Sequence, residues 1–376
     1  MNDLKNNIKM IGKKLGFDEV GIAGIDKFKT DHLSAKHRVR DGLMAGLSWY
    51  TEDRAALANT PEELLPGCKS IISVAISYYK EVEKYDDGKL RGKVARYAWG
   101  LDYHQVIKKR LKLFVEEIEN LIGREFRWRI FVDDGAMNDR AAAERSGIGW
   151  FGKNSNILTV SHGSWVFLGQ IITDLAITPD SPNLKTCGDC QLCIAKCPTG
   201  AIEAPYTINN DLCISFLTIE LKGMIPRNLR PLVGDWVFGC DICQDVCPVN
   251  KEVLKSEEKY FNKRHDFDAI DLLPLLSLEE EEFRVKFKNS PIKRAKLEGL
   301  KRNVCVALGN LGDKRAIIPL LEAVTDKSFI IRSHAVWALG SIGIDNVTRI
   351  QLRRALDLEE HPEVINELKD VLGQSS

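Results

Sequence analysis

The residues of this sequence best suited to chemistry are eight cysteines between Cys187 and Cys247. The first four have the spacing Cys-x2-Cys-x2-Cys-x3-Cys-Pro, and the last three have the spacing Cys-x2-Cys-x3-Cys-Pro. In bacterial ferredoxins, the first three cysteines of such a Cys-x2-Cys-x2-Cys-x3-Cys-Pro run bind one 4Fe–4S cluster, and the fourth cysteine binds a second cluster. Cys213 can supply the thiolate that the second run lacks. The spacing therefore predicts two 4Fe–4S clusters that relay electrons.

The ferredoxin crossover rule also predicts which cysteines share a cluster. One cluster is expected to be bound by Cys187, Cys190, Cys193 and Cys247, and the other by Cys197, Cys213, Cys240 and Cys243. The alternative is structural zinc, which also binds four thiolates from Cys-x2-Cys pairs. Zinc sites rarely need a third cysteine at this spacing and a fourth followed by proline, so the pattern favours iron–sulfur clusters. We expect the isolated Cys68 and Cys305 to be structural.

The composition limits the kinds of partner that the chain can bind. Its 376 residues include 53 basic and 53 acidic side chains, so a polyanionic partner must be bound by a local basic patch. The polar N-terminus, MNDLKNNIKMIGKKLG, and the lack of an apolar run of about 18 residues predict neither a signal peptide nor a membrane span. We therefore expect a soluble, cytoplasmic protein of two or three domains.

Residues 1–178 mix helical and strand patterns, which favours an α+β domain. One helix, expected to end at Gly16, should present a single apolar face made of Leu4, Ile8, Ile11 and Leu15. Further helices are expected at 103–122 and 139–146, strands at 17–23, 70–78 and 127–133, and a charged loop at 83–93. The region has neither a GxGxxG turn nor a regular βαβ period, so a dinucleotide-binding fold is disfavoured.

Two further regions follow. Residues 179–260 contain the cysteines but few apolar side chains, so bound inorganic centres should organise this part. In residues 261–376, the sequence Ala307-Leu-Gly-Asn-Leu-Gly312 reappears 31 residues later as Ala338-Leu-Gly-Ser-Ile-Gly343, and each copy precedes a second amphipathic stretch. This period predicts two short HEAT-type repeats, which would lean on the preceding domain. The alternative is that the repeats serve packing alone.

The sequence also resembles a known family. Val132-Asp133, followed by Asp139-Arg-Ala-Ala-Ala-Glu-Arg-Ser-Gly-Ile-Gly-Trp-Phe-Gly-Lys-Asn154, is similar to a conserved block of the epoxyqueuosine reductases. Other segments follow in the family's order: Leu64-Leu-Pro-Gly67, Arg96, Asp102-Tyr-His104, Cys213-Ile-Ser-Phe-Leu-Thr-Ile-Glu220 and both cysteine runs. The resemblance covers essentially the whole chain.

The resemblance implies an enzyme that removes the epoxide oxygen of epoxyqueuosine, a base at the wobble position of certain tRNA anticodons, to give queuosine. It implies an N-terminal α/β cobalamin-binding domain at 1–178, a bacterial ferredoxin-like two-cluster domain at 179–260 and α-helical HEAT-like repeats at 261–376. Cobalamin would be bound without its lower axial base, and the clusters would reduce its cobalt. An external donor such as a flavodoxin or ferredoxin, and a monomer, are also expected.

Removal of the oxygen as water takes two electrons and two protons, so the site needs an acid. A carboxylic acid in a poorly solvated pocket suits that role. By resemblance the donor is Asp133, while Asp134 should face the other way because adjacent side chains of a strand alternate. The alternative for either aspartate is a loop cap after the strand.

The resemblance also implies cobalamin contacts. Besides Asp133, the residues expected to contact cobalamin are Ala95, Arg140, Lys153, Asn154, Ile157, Leu168 and Ser215. Arg54 is the nearest candidate for a further contact. The alternative for Arg140 is an ion pair with Glu144, one helical turn away.

A chain with no net charge must bind tRNA through a concentrated basic stripe. Eight cations lie between Arg284 and Arg302, and the expected contacts among them are Lys293, Arg294, Lys296 and Lys301. A second patch contains Lys222, Arg227 and Arg230. The alternative is a solvated charged face, since Glu279–Glu282 can neutralise part of the field.

Two other functions are alternatives to the reductase. One is a corrinoid reductive dehalogenase, but such enzymes are usually exported with a twin-arginine signal that this sequence lacks. The other is an electron-transfer protein that docks through the repeats and has no catalytic activity of its own.

Overall fold

The computed structural model describes residues 2–373 as a protein of mixed helices and strands. The strands are β1 (Glu19–Ala23), β2 (Ser70–Ser77), β3 (Arg91–Val94), β4 (Trp128–Phe131), β5 (Trp150–Phe151), β6 (Ile157–Leu158), β7 (Val166–Thr173), β8 (Ile202–Ala204), β9 (Thr207–Ile208), β10 (Trp236–Phe238) and β11 (Ala269–Asp271). Within the described range, none of the helices is both long and apolar enough to cross a membrane.

The α-helices form a longer series. They are α1 (Asn2–Lys14), α2 (Lys29–Arg40), α3 (Glu52–Ala58), α4 (Pro61–Leu64), α5 (Tyr103–Ile122), α6 (Asp139–Arg145), α7 (Leu192–Ala195), α8 (Ile214–Ile219), α9 (Arg230–Val233), α10 (Ile242–Asp245), α11 (Leu273–Leu276), α12 (Glu280–Lys286), α13 (Lys296–Leu311), α14 (Ile317–Ala323), α15 (Phe329–Ile342), α16 (Asn346–Leu358) and α17 (Pro362–Leu372). Short 3-10 turns join several of them.

The chain divides into two compact units that interleave along the sequence. The first unit contains Met1–Glu81, Gly100–Asp211 and Asp241–Asn262, and the second contains Val82–Trp99, Leu212–Cys240 and Lys263–Ser376. Sequence patterns predict three consecutive domains with boundaries near 178 and 260. Those boundaries stay a prediction. The two compact units do not follow them, because strands that are far apart in the sequence pair within one unit.

The first unit is built on an antiparallel sheet of order β1-β2-β7-β4. Every residue of β2 is buried, as its continuous apolar run predicts. Helix α5 packs on β7. Gly169 of β7 permits this close approach, because a Cβ atom at this position would lie only 3.0 Å from the side chain of Ile107 on α5. Helix α6 buries Ala141 and Ala142 against Ile71 and Ile172 of the sheet. Small side chains on α6 thus bring the turn before it close to the strands.

Most of the predicted elements of this unit are confirmed. Helix α5 has the predicted bounds, and the first helix ends before Gly16, whose φ of 85° only glycine adopts easily. The predicted charged loop at 83–93 is wrong at its end, because residues from Arg91 onward form β3 in the second unit. Strand β3 pairs with β10 and β11, and such distant partners leave no local sequence signal.

The second unit contains the repeats, and the predicted helix pairs are confirmed as α13 with α14 and α15 with α16. The glycine at the same place in each repeat permits close helix packing. A Cβ at Gly309 would lie 2.7 Å from the ring of Trp337, and one at Gly340 would lie 2.6 Å from Val371. The recurring Ala-Leu-Gly pattern therefore marks where one helix approaches the next.

Helix α13 is tied to the rest of the second unit by buried polar side chains. Asn303 is fully buried, and its Nδ2 donates to the carbonyl oxygens of Thr218 and Val237 at 2.8 Å each. The neighbouring Arg302 donates to the carbonyl oxygens of Leu217, Leu221 and Gly223. Burial lowers the pKa of Arg302 to about 10.

We expect Asn303→Leu to lower the free energy of unfolding by about 2–4 kcal/mol, because two buried carbonyl oxygens would lose their donor. Urea unfolding followed by circular dichroism measures the change. The matched control is Asn346→Leu, at an exposed position at the beginning of α16. Equal stability of the two variants would contradict this role of Asn303.

Candidate active site and cluster ligands

The turn between β4 and α6 positions the predicted acid. Asp133 adopts a left-handed backbone conformation with φ of 52°, so the chain leaves the strand direction at this residue. Gly135 follows where a Cβ would lie 2.2 Å from the ring of Phe131. Asp133 lines a cavity of the first unit, whereas Asp134 is ion-paired with Lys108. The two carboxylates diverge as expected, but strand alternation is not the cause, because β4 ends at Phe131 and both aspartates lie in the turn that follows.

Tyr103 holds the carboxylate of Asp133. Its hydroxyl donates to Oδ2 of Asp133 at 2.6 Å. The tyrosine ring is buried and stacked between His104 and Phe167, with ring centroids 4.0 and 4.2 Å away. His104 is fixed in turn by a 2.7 Å contact between its Nδ1 and Oδ1 of Asp102. The side chain of Asp133 is solvent-accessible, but its orientation is set by a rigid aromatic stack.

The cavity that contains Asp133 has a volume of about 690 Å³. The apolar side chains of its wall include Met44, Leu47, Trp49, Val166 and Leu168. The wall also carries three guanidinium groups, and each is bonded to a backbone carbonyl: Arg38 to Tyr206, Arg54 to Gly135 and Arg140 to Ser155. A cavity of this size and mixed lining is typical of cofactor and small-molecule sites.

The residues expected to contact cobalamin fall into three groups. Arg140 and Leu168 line the cavity with Asp133, and so does Arg54. Lys153, Asn154 and Ile157 belong to the first unit but not to the cavity wall. Ala95 and Ser215 belong to the second unit, where Ala95 is buried and donates its N–H to Phe238.

The three first-unit residues outside the cavity wall have structural contacts. Ile157 is buried in a core cluster with Ala75 and Ala143. Asn154 is buried, and its Nδ2 lies 3.4 Å from the carbonyl oxygen of Cys243. Lys153 donates to the carbonyl oxygen of Gly188 at 2.7 Å. Lys153 and Asn154 therefore position segments that carry cluster ligands.

The four cysteines predicted for the first cluster all lie in the first unit and are close to one another. Burial raises the pKa of the Cys193 thiol, and negative charge on Cys187 and Cys247 acts in the same direction. The pKa of Cys247 is raised by burial and by Cys187 and Cys190. Mutual repulsion of this kind is expected where several thiolates gather to bind a cationic centre. Among the described residues, no three Cys, His, Asp or Glu side chains are arranged to hold a single metal ion.

A buried amide network fixes the segment that carries Cys247. Asn250, three residues later, donates to Oγ of Ser164 and to the carbonyl oxygen of Gln244, both at 2.8 Å. It also accepts the backbone N–H of Ser164 at 2.8 Å. Gln244 donates to Oγ of Ser164 at 2.9 Å. Sequence reasoning did not identify this network, because its members are far apart along the chain.

The remaining cysteines are distributed as follows. Cys197 and Cys243 lie in the first unit, and Cys213 and Cys240 lie in the second. Cys68 and Cys305 are buried, and burial raises their thiol pKa values to about 11 and about 12. Thiols with such pKa values are largely protonated at neutral pH, which agrees with the structural role predicted for them.

The basic residues predicted to contact tRNA lie in the second unit, but they are not equally available. Lys222, Arg227, Lys293, Arg294 and Lys296 are exposed. Arg227 pairs with Glu367 and Asp370, and Arg294 pairs with Glu220. Lys301 is different: its side chain is 8% exposed and pairs with Asp326 at 3.6 Å. The burial of Lys301 removes it from any surface that phosphates could reach.

Comparison with known proteins gives three family matches. The family described as "Epoxyqueuosine reductase QueG, DUF1730" matches residues 59–134. The family described as "4Fe-4S double cluster binding domain" matches residues 186–250, and "HEAT repeats" matches residues 294–373. The prediction of two iron–sulfur clusters in place of zinc is confirmed, as are the HEAT-type repeats.

Relatives cover almost the full chain. The epoxyqueuosine reductase of Escherichia coli is 37% identical over 344 residues, which are 90% of this chain and 89% of the relative. That of Xanthomonas campestris is 36% identical over 348 residues, which are 91% of this chain and 97% of the relative.

Two solved structures of epoxyqueuosine reductases also match. One, which contains an epoxyqueuosine-modified stem loop of tRNA-Tyr, is 34% identical with a TM-score of 0.91 over 99% of each chain. Another, from Bacillus subtilis, has its aspartate-bearing catalytic loop swung out of the active site. It is 32% identical, with a TM-score of 0.91 over 100% of each chain.

A double-cluster ferredoxin segment, combined in one chain with a large cavity that contains a hydrogen-bonded carboxylate, defines an iron–sulfur oxidoreductase. The extent and identity of the matches go further. The chain belongs to the epoxyqueuosine reductase family. The predicted family is confirmed, and the two alternative functions are set aside.

We expect Cys247→Ser to remove the first cluster and to keep the second, because serine is a poor ligand for an iron–sulfur cluster. About half of the iron should be lost from anaerobically purified protein. Iron analysis and electron paramagnetic resonance measure the change. The control is Cys68→Ser, which should keep all of the iron. Full iron content in Cys247→Ser would contradict the ligand assignment.

Proposed function

We propose that this enzyme reduces the epoxide of epoxyqueuosine at the wobble position of tRNA to the alkene of queuosine. The family membership supports the reaction, and the observation that supports it in this chain is Asp133, held by Tyr103 at the wall of a large cavity. The same cavity contains apolar and cationic surfaces that a modified base and a cofactor both need.

We propose that cobalamin is the cofactor of this cavity. A corrin presents broad apolar faces with a rim of amide side chains, which suits a wall that contains both the apolar Leu168 and Val166 and the cationic Arg140 and Arg54. Arg140 and Arg54 each donate one hydrogen bond to a backbone carbonyl, and each guanidinium has further N–H groups that can donate to a ligand. When bound, cobalamin supplies a reduced cobalt centre that can react with a strained ring. Ala95, Lys153, Asn154, Ile157 and Ser215 stay predicted contacts.

The role proposed for Asp133 is to protonate the departing oxygen. The hydroxyl of Tyr103 fixes one carboxylate oxygen, so the other is left to face the cavity. Because the tyrosine ring is stacked on both faces, this orientation costs little entropy during each turnover. When bound by the cysteines predicted for them, the two clusters would provide a source of single electrons for this reaction.

We expect Asp133→Asn to keep both clusters and bound cobalamin and to lower the rate of epoxide reduction by roughly 10²–10⁴-fold, the usual range for a lost general acid. Mass spectrometry of tRNA nucleosides after anaerobic incubation measures the rate. The matched control is Asp134→Asn, which changes the neighbouring carboxylate on the side of Lys108. If Asp133→Asn has the wild-type rate, Asp133 has no part in proton transfer.

We propose that Lys222, Arg227, Lys293, Arg294 and Lys296 contact phosphates of the tRNA. Their exposure supports this role, and Arg227 and Arg294 would exchange carboxylate partners for phosphates. Lys222 donates to the carbonyl oxygen of Arg294 at 3.1 Å, so the two predicted patches form one basic surface. Lys301 is left out because it is buried.

We expect the triple variant Lys293→Glu, Arg294→Glu and Lys296→Glu to weaken tRNA binding and to reduce the slope of log affinity against log salt by about 2 to 3. Filter binding at several salt concentrations measures both quantities. The control is Lys109→Glu, Lys112→Glu and Arg124→Glu, three exposed cations of the first unit. Equal affinities and slopes for the two triple variants would contradict the proposed surface.

Three further expectations follow from the same function. The electron donor is expected to be a flavodoxin or ferredoxin, since the clusters need a low-potential one-electron source. The site of action is expected to be the cytoplasm, because that is where tRNA is modified. The monomeric state stays a prediction.

A further inference from the structure

The cavity contains a second carboxyl that the mechanism above does not use. Asp139 is the first residue of α6 and lines the same wall as Asp133. Its Oδ1 is buried and has no hydrogen-bond partner among the described residues. Burial of an ionised carboxylate in this state would be costly, whereas a protonated carboxyl needs less solvation.

The neighbours of Asp139 support the neutral form. Burial raises the pKa of Asp139 well above its ordinary value, and Asp133 raises it further whenever Asp133 has lost its own proton. The backbone N–H of Asp133 bonds to the Asp139 carboxyl, and the charge of Arg140 opposes the shift without cancelling it. The other ionisable groups of the cavity wall are Asp31, Arg38, Tyr50, Arg54, Tyr103 and Tyr206.

Most of these other groups already have a partner that limits their effect on Asp139. Asp31 pairs with Arg145 at 2.8 Å, and Tyr103 bonds to Asp133. Arg38 and Arg54 bond to backbone carbonyls. Gln170, fully buried on β7, donates to the backbone carbonyl of Asp139 at 3.2 Å and so holds the residue in place.

The stoichiometry of the reaction gives this second acid a use. Reduction of an epoxide to an alkene and water consumes two protons, but one carboxyl delivers only one. We propose that Asp139 is a proton-relay residue, which hands a second proton to Asp133 during each turnover. The inference rests on the proposed function, since it assigns the second proton of that reaction.

The steps balance as follows. Asp133 gives its proton to the epoxide oxygen as the first C–O bond breaks. Asp139 then passes its proton to Asp133 in the same step in which Asp133 protonates the leaving hydroxyl group, because the departing hydroxide is a far stronger base than either carboxylate. Asp133 gives this second proton to the hydroxyl group, which leaves as water when the second C–O bond breaks and the C=C bond forms. The two electrons come from the reduced iron–sulfur clusters, which become oxidised. Both carboxylates then take protons from solvent, and Arg140 stabilises the charge on Asp139 in the meantime.

Infrared spectroscopy of the purified holoenzyme tests the protonation of Asp139 directly. We expect the spectrum at neutral pH to contain the C=O stretching band of a buried carboxylic acid. The band should be absent from Asp139→Asn and present in Asp133→Asn and in the control Asp134→Asn. A wild-type spectrum without the band, or a band that survives in Asp139→Asn, would overturn the proposal.

Single-turnover kinetics test the relay. We expect Asp139→Asn to lower the rate of reduction by roughly 10²-fold with an unchanged KM for tRNA and unchanged cluster and cobalamin absorbance. The wild-type rate should fall as pH rises through the pKa of Asp139, because the relay proton is then lost, and this fall should be missing in Asp139→Asn. A wild-type rate in the variant, or a raised KM with an unchanged pH profile, would refute the relay.

The two proposals fail in different ways. If the wild-type enzyme does not reduce epoxyqueuosine at all, the proposed function is wrong, although the infrared band still reports the state of Asp139. If the wild-type enzyme is active and Asp139→Asn is equally active at every pH, the function stands and the relay is wrong.

Discussion

The hydrogen bond from Tyr103 to Asp133 is the contact on which the proposed catalytic arrangement depends. Asp133 lies in a left-handed turn after a short strand, and such a turn does not by itself fix where the side chain points. The tyrosine comes from a long helix, and its ring is packed on both faces. A flexible carboxylate is thereby attached to the rigid part of the first unit.

The loops that carry the predicted cluster ligands are also held in place by side chains from other parts of the first unit. A short cysteine loop has little apolar surface of its own, so it must be held by neighbouring polar groups. Lys153 contacts the loop after Cys187, Asn154 contacts Cys243, and the amide of Asn250 fixes the segment after Cys247. Buried amides are suited to this task, because each can donate and accept at once and has little freedom when fully bonded.

The sequence alone predicts the features that local spacing controls. The two cysteine runs, the long helix with Tyr103 at its beginning, and the repeated Ala-Leu-Gly pattern all lie within short stretches of chain. Contacts between distant segments are different in kind. Nothing near Asp133 indicates that a tyrosine thirty residues earlier bonds to it, and nothing near Asp139 indicates that its carboxyl is buried. The sequence contains one indication of the role of Tyr103: the segment Asp102-Tyr-His104 is among those shared with the family, although the resemblance assigns it no function.

The basic stripe shows why charge counts are a weak guide to a surface. Lys296, Lys301 and Arg302 are close together in the sequence, yet only Lys296 is exposed. Helix periodicity turns Lys301 and Arg302 toward the interior, where Asp326 and backbone carbonyls satisfy them. Sequence reasoning counted these cations as alike, because it could not know which face of α13 packs.

The interleaving of the two units has a consequence for biosynthesis. The antiparallel sheet of the first unit is complete once residue 173 has been translated, but the unit also needs the segment Asp241–Asn262. Cys247 lies in that late segment, so the set of four cysteines predicted for the first cluster is complete only after the segment has been synthesised. A fragment that ends before residue 241 would keep every strand of the antiparallel sheet but would lack one of the four cysteines predicted to bind the first cluster.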